Sequence, residues 1–292
     1  MRSRMTADFR RQAIATTCRA RAALARAMVL AAGLCLTAMA AGCTTAPRPG
    51  PLAGHSVSAT PGHTAAWPTA ATGAPTGAPT GAPTAVGCPA APYGARLYAP
   101  GSSKTVALTF DDGPGRSTAA ILAVLARYRV TATFFNIGAA MATRPWLVRE
   151  EVEAGYAMGD HTWNHRDLVT LSAGSQAGEL SQASAEQRSI VGTVPCAFRP
   201  PYGEYDSTTL KLAQQQRMGV WLWSVDTLDW MADGSSSSYW VQRIIRLAEQ
   251  GGALSHPILL MHDARPGDPA TVMALPAIIQ FFRSRGYRFV AL

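Results

Sequence analysis

The chain has 292 residues, of which 48% are hydrophobic, so it contains enough apolar material for a sizeable core. Its formal net charge of +8 is concentrated at the amino terminus. Seven of the 26 basic residues and one of the 18 acidic residues lie in residues 1–42, so the remaining chain carries a net charge of only +2. No basic patch interleaved with aromatic residues remains there, which leaves no electrostatic case for a nucleic-acid partner.

The first segment has the pattern of an export signal. Its arginines precede an apolar stretch, Met28–Ala41, which is shorter than the roughly 20 residues of a transmembrane helix. The stretch runs into Ala40-Ala41-Gly42-Cys43, which resembles a bacterial lipobox. We therefore predict a lipoprotein signal peptide over residues 1–42, with Cys43 lipidated and anchored in the membrane. Ordinary signal cleavage near Ala41, followed by secretion, is the alternative.

Residues 43–92 are rich in Ala, Thr, Pro and Gly, and the sequence GAPT occurs at 73–76, 77–80 and 81–84. Such a composition cannot bury enough apolar surface to offset the entropy of the chain, so it predicts disorder. We interpret the segment as a flexible tether that holds a folded domain, residues 93–292, outside the cytoplasm.

The five cysteines divide between these segments. Cys18 and Cys35 lie in the signal and Cys43 is the predicted lipid site, which leaves Cys88 and Cys196. Two thiols in an oxidising compartment predict one disulfide bond, and two unpaired cysteines are the alternative.

From about Tyr93 the sequence alternates between short apolar runs and amphipathic stretches. The predicted strands are Thr105–Phe110, Thr133–Ile137, Tyr156–Gly159, Ala197–Arg199, Val220–Val225, Ile258–Met261 and Arg288–Ala291. The predicted helices are 118–128, 145–154, 173–191, 207–217, 239–250 and 271–285. This alternation predicts an α/β fold with a parallel sheet covered by helices. Its size indicates a barrel smaller than the eight-stranded type, with an open doubly wound sheet as the alternative.

Polar residues cluster where these strands end, which is where ligands gather in both folds. The segments are Asp111-Asp112-Gly113-Pro114, Asp160-His161-Thr162-Trp163-Asn164-His165, Arg199-Pro200-Pro201-Tyr202-Gly203, Asp226-Thr227-Leu228-Asp229-Trp230 and His262-Asp263. Each alone has a structural explanation, such as a tight turn or a surface histidine pair. Together they place three of the chain's six histidines at strand ends beside carboxylates.

This combination suits metal-assisted hydrolysis. Two histidines and one carboxylate form a zinc site with an open position, where zinc lowers the pKa of its bound water to about 7. Asp112, His161 and His165 could supply the ligands. Asp111 could act as the general base and His262 as the general acid.

Over residues 100–292 the motifs T-F-D-D-G-P, H-T-W-N-H, R-P-P-Y, D-T-L-D-W and L-L-M-H occur in that order. They resemble the five motifs of the polysaccharide deacetylase family, the NodB-like carbohydrate esterases. The resemblance implies a distorted (β/α)7-type barrel and a metal-dependent N-deacetylase of N-acetylated amino sugars. It also implies that Arg199 orients Asp111 and that Asp226 pairs with His262, although Asp229 could replace Asp226.

The resemblance further implies the residues that bind substrate. The backbone N–H of Tyr202 would hold the oxyanion, Leu260 would line the acetyl-methyl pocket and Trp230 would wall the sugar groove, with Pro200 beside them. The expected metal is divalent, with Zn²⁺ preferred, and the chain is expected to be a monomer. A surface lipoprotein meets its own cell wall first, so the expected substrate is N-acetylglucosamine in peptidoglycan.

Other functions stay open at this point. A chitooligosaccharide deacetylase would use the same site, and a related amidase would act on a small C–N substrate. A glycoside hydrolase would need no metal and would use two of Glu204, Asp226 and Asp229. A non-catalytic carbohydrate-binding lipoprotein on the same scaffold would need none of this chemistry.

Overall fold

The computed structural model describes Cys88, residues 91–264 and residues 268–292. The predicted signal peptide and nearly all of the predicted tether lie outside these residues. None of the helices in the described part combines the length and apolar character needed to span a bilayer.

The described part alternates strands with helices. The strands are β1 (Ala95–Arg96), β2 (Thr105–Asp111), β3 (Thr133–Asn136), β4 (Ala157–Asp160), β5 (Ala197–Phe198), β6 (Gly219–Trp221), β7 (Val225–Asp226), β8 (Ile258–His262) and β9 (Arg288–Phe289). The α-helices are α1 (Thr118–Tyr128), α2 (Gly138–Thr143), α3 (Pro145–Glu153), α4 (Ala173–Val191), α5 (Ser207–Gln215), α6 (Ser238–Glu249) and α7 (Asp268–Ser284).

The strands form one sheet in the order β1, β6, β5, β4, β3, β2, β8, β7, with β9 also beside β2. All of the strand pairs are parallel. The predicted parallel pairing is therefore confirmed, and the carboxyl ends of the strands share one edge.

The sheet curls into a distorted barrel. The strands β6 and β7 lie six positions apart in the sheet, about 29 Å if it were flat. Only residues 222–224 join them, and four Cα–Cα steps span at most about 14 Å. One apolar cluster accordingly combines residues from strands across the sheet: Ala107, Phe135, Ala197, Trp221 and Ile258. The barrel prediction is confirmed.

The strand β2 illustrates how the barrel separates an inside from an outside. Successive side chains of a strand point to opposite faces. Ala107 therefore faces the cluster inside the barrel, whereas Val106, Leu108 and Phe110 pack in a second cluster with helices α1 and α7. Asp111, at the end of β2, has the same parity as Ala107.

Several predicted strands and helices end one to three residues from the observed bounds, and two differences in the strands and α-helices are larger. The predicted strand Val220–Val225 is interrupted, because the N–H of Leu222 donates to Arg96 O on one side and the N–H of Ser224 donates to Ile258 O on the other. The sequence analysis also missed β1 and α2, whose lengths of two and six residues are too short to show a periodic pattern.

The predicted disulfide bond is present. Cys88 and Cys196 are joined with an Sγ–Sγ distance of 2.06 Å across 108 residues of sequence. Cys196 immediately precedes β5, so the bond fixes the start of the described chain beside the middle of the sheet.

Candidate metal centre and active site

The candidate site lies at the carboxyl edge of the sheet, in the segments that follow β2, β4, β5, β7 and β8. Four of its residues have left-handed backbone conformations, which residues other than glycine rarely adopt. The values of φ are 72° at Asp112, 67° at Thr162, 56° at His165 and 61° at Tyr202. Such conformations persist where the surrounding structure holds them and are common at functional sites.

Asp112, His161 and His165 come together at this edge. Asp112 Oδ1 lies 3.4 Å from His161 Nε2 and 3.1 Å from His165 Nε2. One ligand atom from each residue lies within 4.8 Å of the others. The three predicted ligands therefore form a group that can hold a divalent metal ion.

The environment of these residues fits that ion. The Nδ1–H of His161 donates to Arg199 O at 2.7 Å, so Nε2, which faces Asp112, is the ring nitrogen that could bind the ion. Ligand atoms about 2.0–2.2 Å from a tetrahedral zinc lie about 3.3–3.6 Å apart, close to the separations observed here. Burial opposes ionisation of Asp112, but hydrogen bonds from both histidines outweigh it and lower the pKa of this carboxyl.

Asp111 lies beside the cluster and is held by Arg199. Its Oδ1 accepts a hydrogen bond from Arg199 Nη1 at 2.7 Å, and its Oδ2 lies 3.8 Å from His161 Nε2. Both side chains are buried. The predicted contact between Arg199 and Asp111 is present, and the carboxylate is oriented with one oxygen towards the metal ligands.

Arg199 itself crosses the inside of the barrel. Its guanidinium lies 4.1 Å from the ring centre of Phe135 and donates to Thr109 Oγ1 at 2.7 Å. It also donates to the backbone oxygens of Trp221 and Leu222 at 3.2 and 3.1 Å. These contacts fix the guanidinium plane, and with it the orientation of the Asp111 carboxylate.

His262 ends β8 and is bound by Asp229. Asp229 Oδ1 accepts from His262 Nδ1 at 2.8 Å, and Oδ2 accepts from the His262 backbone N–H at 2.8 Å and from Thr271 Oγ1 at 2.7 Å. Burial disfavours the charged ring, but the Asp229 carboxylate outweighs it and raises the pKa of His262 to about 9. The ring is therefore held protonated at neutral pH.

The expected pairing of Asp226 with His262 is wrong. Asp226 Oδ1 accepts from the Leu228 backbone N–H at 2.8 Å, while Asp229 accepts from both the backbone N–H and the ring Nδ1–H of His262. The physical reason is the turn at Leu228, with φ of 53°, which leads into a 3₁₀ helix from Asp229 to Ala232. Because of this turn, the side chain of Asp229 points towards His262 on β8.

The predicted substrate-binding residues lie on the same loops and strand as the site residues. Tyr202 is 56% exposed and its ring centre lies 4.7 Å from that of His165. Trp230 is 45% exposed and follows Asp229 in the chain. Leu260 is buried two residues before His262, on the same side of β8, and Pro200 is buried at the start of the Tyr202 loop.

The predicted loop residue His256 lies away from these groups, where its Nδ1 is 2.9 Å from Thr105 Oγ1 at the start of β2. No role was predicted for Thr271, which holds Asp229, or for a buried group formed by Asn136, Glu151 and Asp263. None of these residues shows a sequence pattern of its own. Only the position of Asp263 directly after His262 could have indicated it.

Comparisons with known proteins identify relatives of this chain. Residues 98–221 match the family model described as polysaccharide deacetylase. The chain is 33% identical over 191 residues to a peptidoglycan-N-acetylglucosamine deacetylase of Bacillus cereus, which covers 64% of this chain and 69% of that one. It is also 33% identical over 192 residues to the peptidoglycan-N-acetylglucosamine deacetylase PgdA of Listeria monocytogenes, covering 65% of this chain and 38% of the relative.

Among solved structures, the chain is similar to the Bc1960 peptidoglycan N-acetylglucosamine deacetylase, with a TM-score of 0.63 and 31% identity. The match covers 68% of this chain and 91% of that structure. The chain thus spans most of that protein but well under half the length of the Listeria relative.

Proposed function

Because the chain belongs to the polysaccharide deacetylase family, we propose that it is a metal-dependent hydrolase that removes acetyl groups from N-acetylglucosamine in peptidoglycan. The observation that carries the proposal is the position of Asp111. This carboxylate is fixed by Arg199 beside the Asp112–His161–His165 group and 3.8 Å from His161 Nε2, outside the set of three closest ligands. The site therefore has a carboxylate available for proton transfer.

Asp112, His161 and His165 would hold the ion, and we propose Zn²⁺ because imidazole and carboxylate donors in this number suit it. When bound, the ion polarises the acetamide carbonyl and makes a water molecule more acidic. The Nδ1 hydrogen bond of His161 to Arg199 O fixes the ring orientation that this binding requires.

Asp111 is the proposed general base. The buried Arg199 guanidinium donates to its Oδ1 at 2.7 Å, which leaves the second oxygen to receive a proton from the attacking water. Arg199 acts through Asp111 and does not itself need to contact the substrate.

His262 is the proposed general acid. Its Nδ1–H is occupied by Asp229, so its Nε2–H is the proton that can pass to the departing amine. An amine leaves poorly without that proton. Asp229 keeps the ring charged and oriented, which is the role that the sequence analysis assigned to Asp226.

The surrounding residues suit a sugar polymer. Exposed aromatic rings at Tyr202 and Trp230 offer flat faces for sugar rings, Leu260 offers an apolar wall for the acetyl methyl group, and Pro200 shapes the loop. The backbone N–H of Tyr202 would stabilise the oxyanion. The similar proteins of Listeria monocytogenes and Bacillus cereus are peptidoglycan-N-acetylglucosamine deacetylases, so peptidoglycan is the first substrate to test.

A glycoside hydrolase is a weaker explanation of the same residues. Both oxygens of Asp229 accept hydrogen bonds from His262 and Thr271, so this carboxyl is not placed to act on a glycosidic oxygen. Such an enzyme would also leave the Asp–His–His group unexplained.

The location belongs to the same proposal. We infer that the protein works outside the cytoplasm, anchored through a lipid on Cys43 after removal of residues 1–42, with residues 43–92 as the tether. The monomer is sufficient, because every residue with a proposed role comes from one chain.

The decisive experiment measures free acetate after incubation of the purified protein with purified peptidoglycan and with chitooligomers. We expect acetate from peptidoglycan, loss of the activity on chelation and recovery with Zn²⁺. Asp111→Asn is the matched control, since it should retain metal but release almost no acetate. No acetate from either polymer would refute the deacetylase, whereas release from chitooligomers alone would correct the substrate.

A further inference from the structure

Behind the site, a second polar group is buried on the outer side of the sheet. Asn136 ends β3, Glu151 lies on α3, Asp263 follows β8 and Thr118 begins α1, and all four residues are completely buried. Buried carboxyl groups are unusual, so the presence of two here calls for a specific role.

Asp263 holds the loop that carries Asp111 and Asp112. Its backbone N–H donates to Asp111 O at 3.2 Å and its backbone oxygen accepts from Ser117 N at 3.2 Å. Its side chain accepts a hydrogen bond from Thr118 Oγ1, which in turn accepts from Gly115 N at 2.7 Å. One residue thus secures the start, middle and end of the loop between β2 and α1.

Asn136 and Glu151 support the same loop from the other side. Asn136 Nδ2 donates to Glu151 Oε2 at 2.6 Å, and Asn136 O accepts from the His161 backbone N–H at 3.0 Å. A Cβ on Gly113 would lie 2.5 Å from Asp263 Oδ1 and 2.7 Å from Asn136 Oδ1. The side chains of Asp263 and Asn136 therefore pack so closely against Gly113 that no residue with a Cβ fits there. Gly113 is the neighbour of the metal ligand Asp112.

The surroundings of Asp263 and Glu151 favour the protonated, neutral form of their carboxyl groups. Asp263 Oδ1, Glu151 Oε1 and Asn136 Oδ1 are buried, and none of the described residues donates a hydrogen bond to them. Burial raises the pKa of Asp263 to about 7 and that of Glu151 well above its usual value. A protonated carboxyl supplies the donor that these acceptors need and avoids two buried like charges behind the site.

We propose that Asp263, supported by Asn136 and Glu151, is a positioning residue that fixes the metal-ligand and base loop to the strand carrying His262. Asp111 and His262 are register partners on β2 and β8, and the bond from Asp263 N to Asp111 O is the next contact beyond that pair. The catalytic part of this inference rests on the deacetylase function proposed above. The structural part concerns the metal site alone.

The test compares Asp263→Ala and Glu151→Ala with the neutral, similarly shaped Asp263→Asn and Glu151→Gln in the full-length protein. Each variant is loaded with Co²⁺ to record its absorption spectrum and affinity, and kcat and KM for acetate release are measured separately. We expect the alanine variants to bind Co²⁺ about 10–100-fold more weakly, with an altered spectrum and a similar fall in kcat, as outer-shell changes at metal sites do. The Asn and Gln variants should restore the wild-type spectrum and kcat.

Two further variants separate positioning from general destabilisation. Thr118→Val keeps the buried shape but removes the hydroxyl between Asp263 and Gly115, so it should fold and still alter the spectrum and kcat. Tyr287→Phe removes hydrogen bonds to Gly252 O and Leu254 O near the amino ends of the strands, so it should lose stability with the site unchanged.

The inference would be overturned if the alanine variants and Thr118→Val had wild-type spectra and wild-type rates per bound metal ion. It would also be overturned if the Asn and Gln variants were as impaired as the alanine variants. If the wild type released no acetate, the deacetylase proposal would fail. The Co²⁺ measurements would still decide whether Asp263 positions the metal loop.

Discussion

Asp229 binds His262 twice, through the ring Nδ1 at 2.8 Å and through the backbone N–H at 2.8 Å. The backbone contact sets the distance between the two residues, and the ring contact sets the tautomer and orientation of the imidazole. Thr271 Oγ1 completes the group by donating to the same carboxylate at 2.7 Å. The orientation of the proposed acid His262 is therefore fixed by hydrogen bonds, as is that of the proposed base Asp111.

This relationship predicts the alkaline limit of activity. His262 must be protonated to act as an acid, and its pKa of about 9 means that this form is lost as pH rises through about 9. Asp229→Asn should move that limit towards the usual histidine pKa of about 6.5. Asp226→Asn is the matched control and should leave the limit near pH 9. Profiles of kcat/KM against pH would contradict the assignment if Asp226→Asn moved the limit instead.

The metal site gives a second prediction. Asp112→Asn replaces a charged ligand between two histidines with a neutral amide, so Zn²⁺ affinity should fall by more than the roughly 10–100-fold seen for outer-shell changes. Metal content after dialysis, measured by elemental analysis, tests this. Wild-type zinc content in Asp112→Asn would remove Asp112 from the ligand set.

The proton-transfer pair gives a third prediction. Asp111→Asn and His262→Ala should each lower kcat by about 10²–10⁴-fold, the usual contribution of general acid–base catalysis. Both should retain about one metal ion per chain, because neither residue belongs to the ligand group. If His262→Ala lost metal together with activity, His262 would be a ligand and the assignment of roles would be wrong.

Arg199 gives a fourth prediction, on folding stability. Removing it leaves the Asp111 carboxylate buried without its cation, so Arg199→Ala should lower the free energy of unfolding by about 3–5 kcal/mol. Arg199→Lys keeps the charge but cannot make the same contacts, and should be intermediate. Arg96→Ala, which removes a cation stacked 4.6 Å from Trp221, is the control and should cost much less. Urea unfolding midpoints measure all three variants.

The fifth prediction concerns the lipid anchor. Wild-type protein should fractionate with membranes, and Cys43→Ala should not, because stable anchoring needs acyl chains whose burial contributes about 0.8 kcal/mol per CH₂. If Cys43→Ala stayed in the membrane fraction, the uncleaved signal segment would be the anchor. Deleting residues 44–87 should leave turnover of soluble oligosaccharides unchanged, which separates tethering from catalysis.

Much of the catalytic domain's fold was predictable from the sequence. The helices 118–128 and 173–191 have the predicted bounds, and the parallel pairing follows from strand–helix alternation. The metal group was predictable because Asp112, His161 and His165 each lie at the end of a strand. Curling of the sheet brings these ends together, and no local pattern specifies it.

The acid at His262 shows where this reasoning fails. Asp226 and Asp229 are equivalent in the sequence, and the choice between them depends on a left-handed turn at Leu228. Glu151 was missed for a similar reason. It stands next to Glu150 on a helix with charged neighbours, and only the packing of α3 on the sheet buries one of the two. Such distinctions arise from tertiary contacts.

The position of β2 in the sheet affects when the domain can form during synthesis. This first long strand lies between β3 on one side and β8, some 150 residues later, on the other, and β9 at the end of the chain also pairs with it. A chain that has emerged only as far as α6 therefore has an unpaired β2 edge and neither His262 nor the helix that carries Thr271. The barrel cannot close before its last strands are available, so folding of this domain is completed only after nearly all of the described residues have been made.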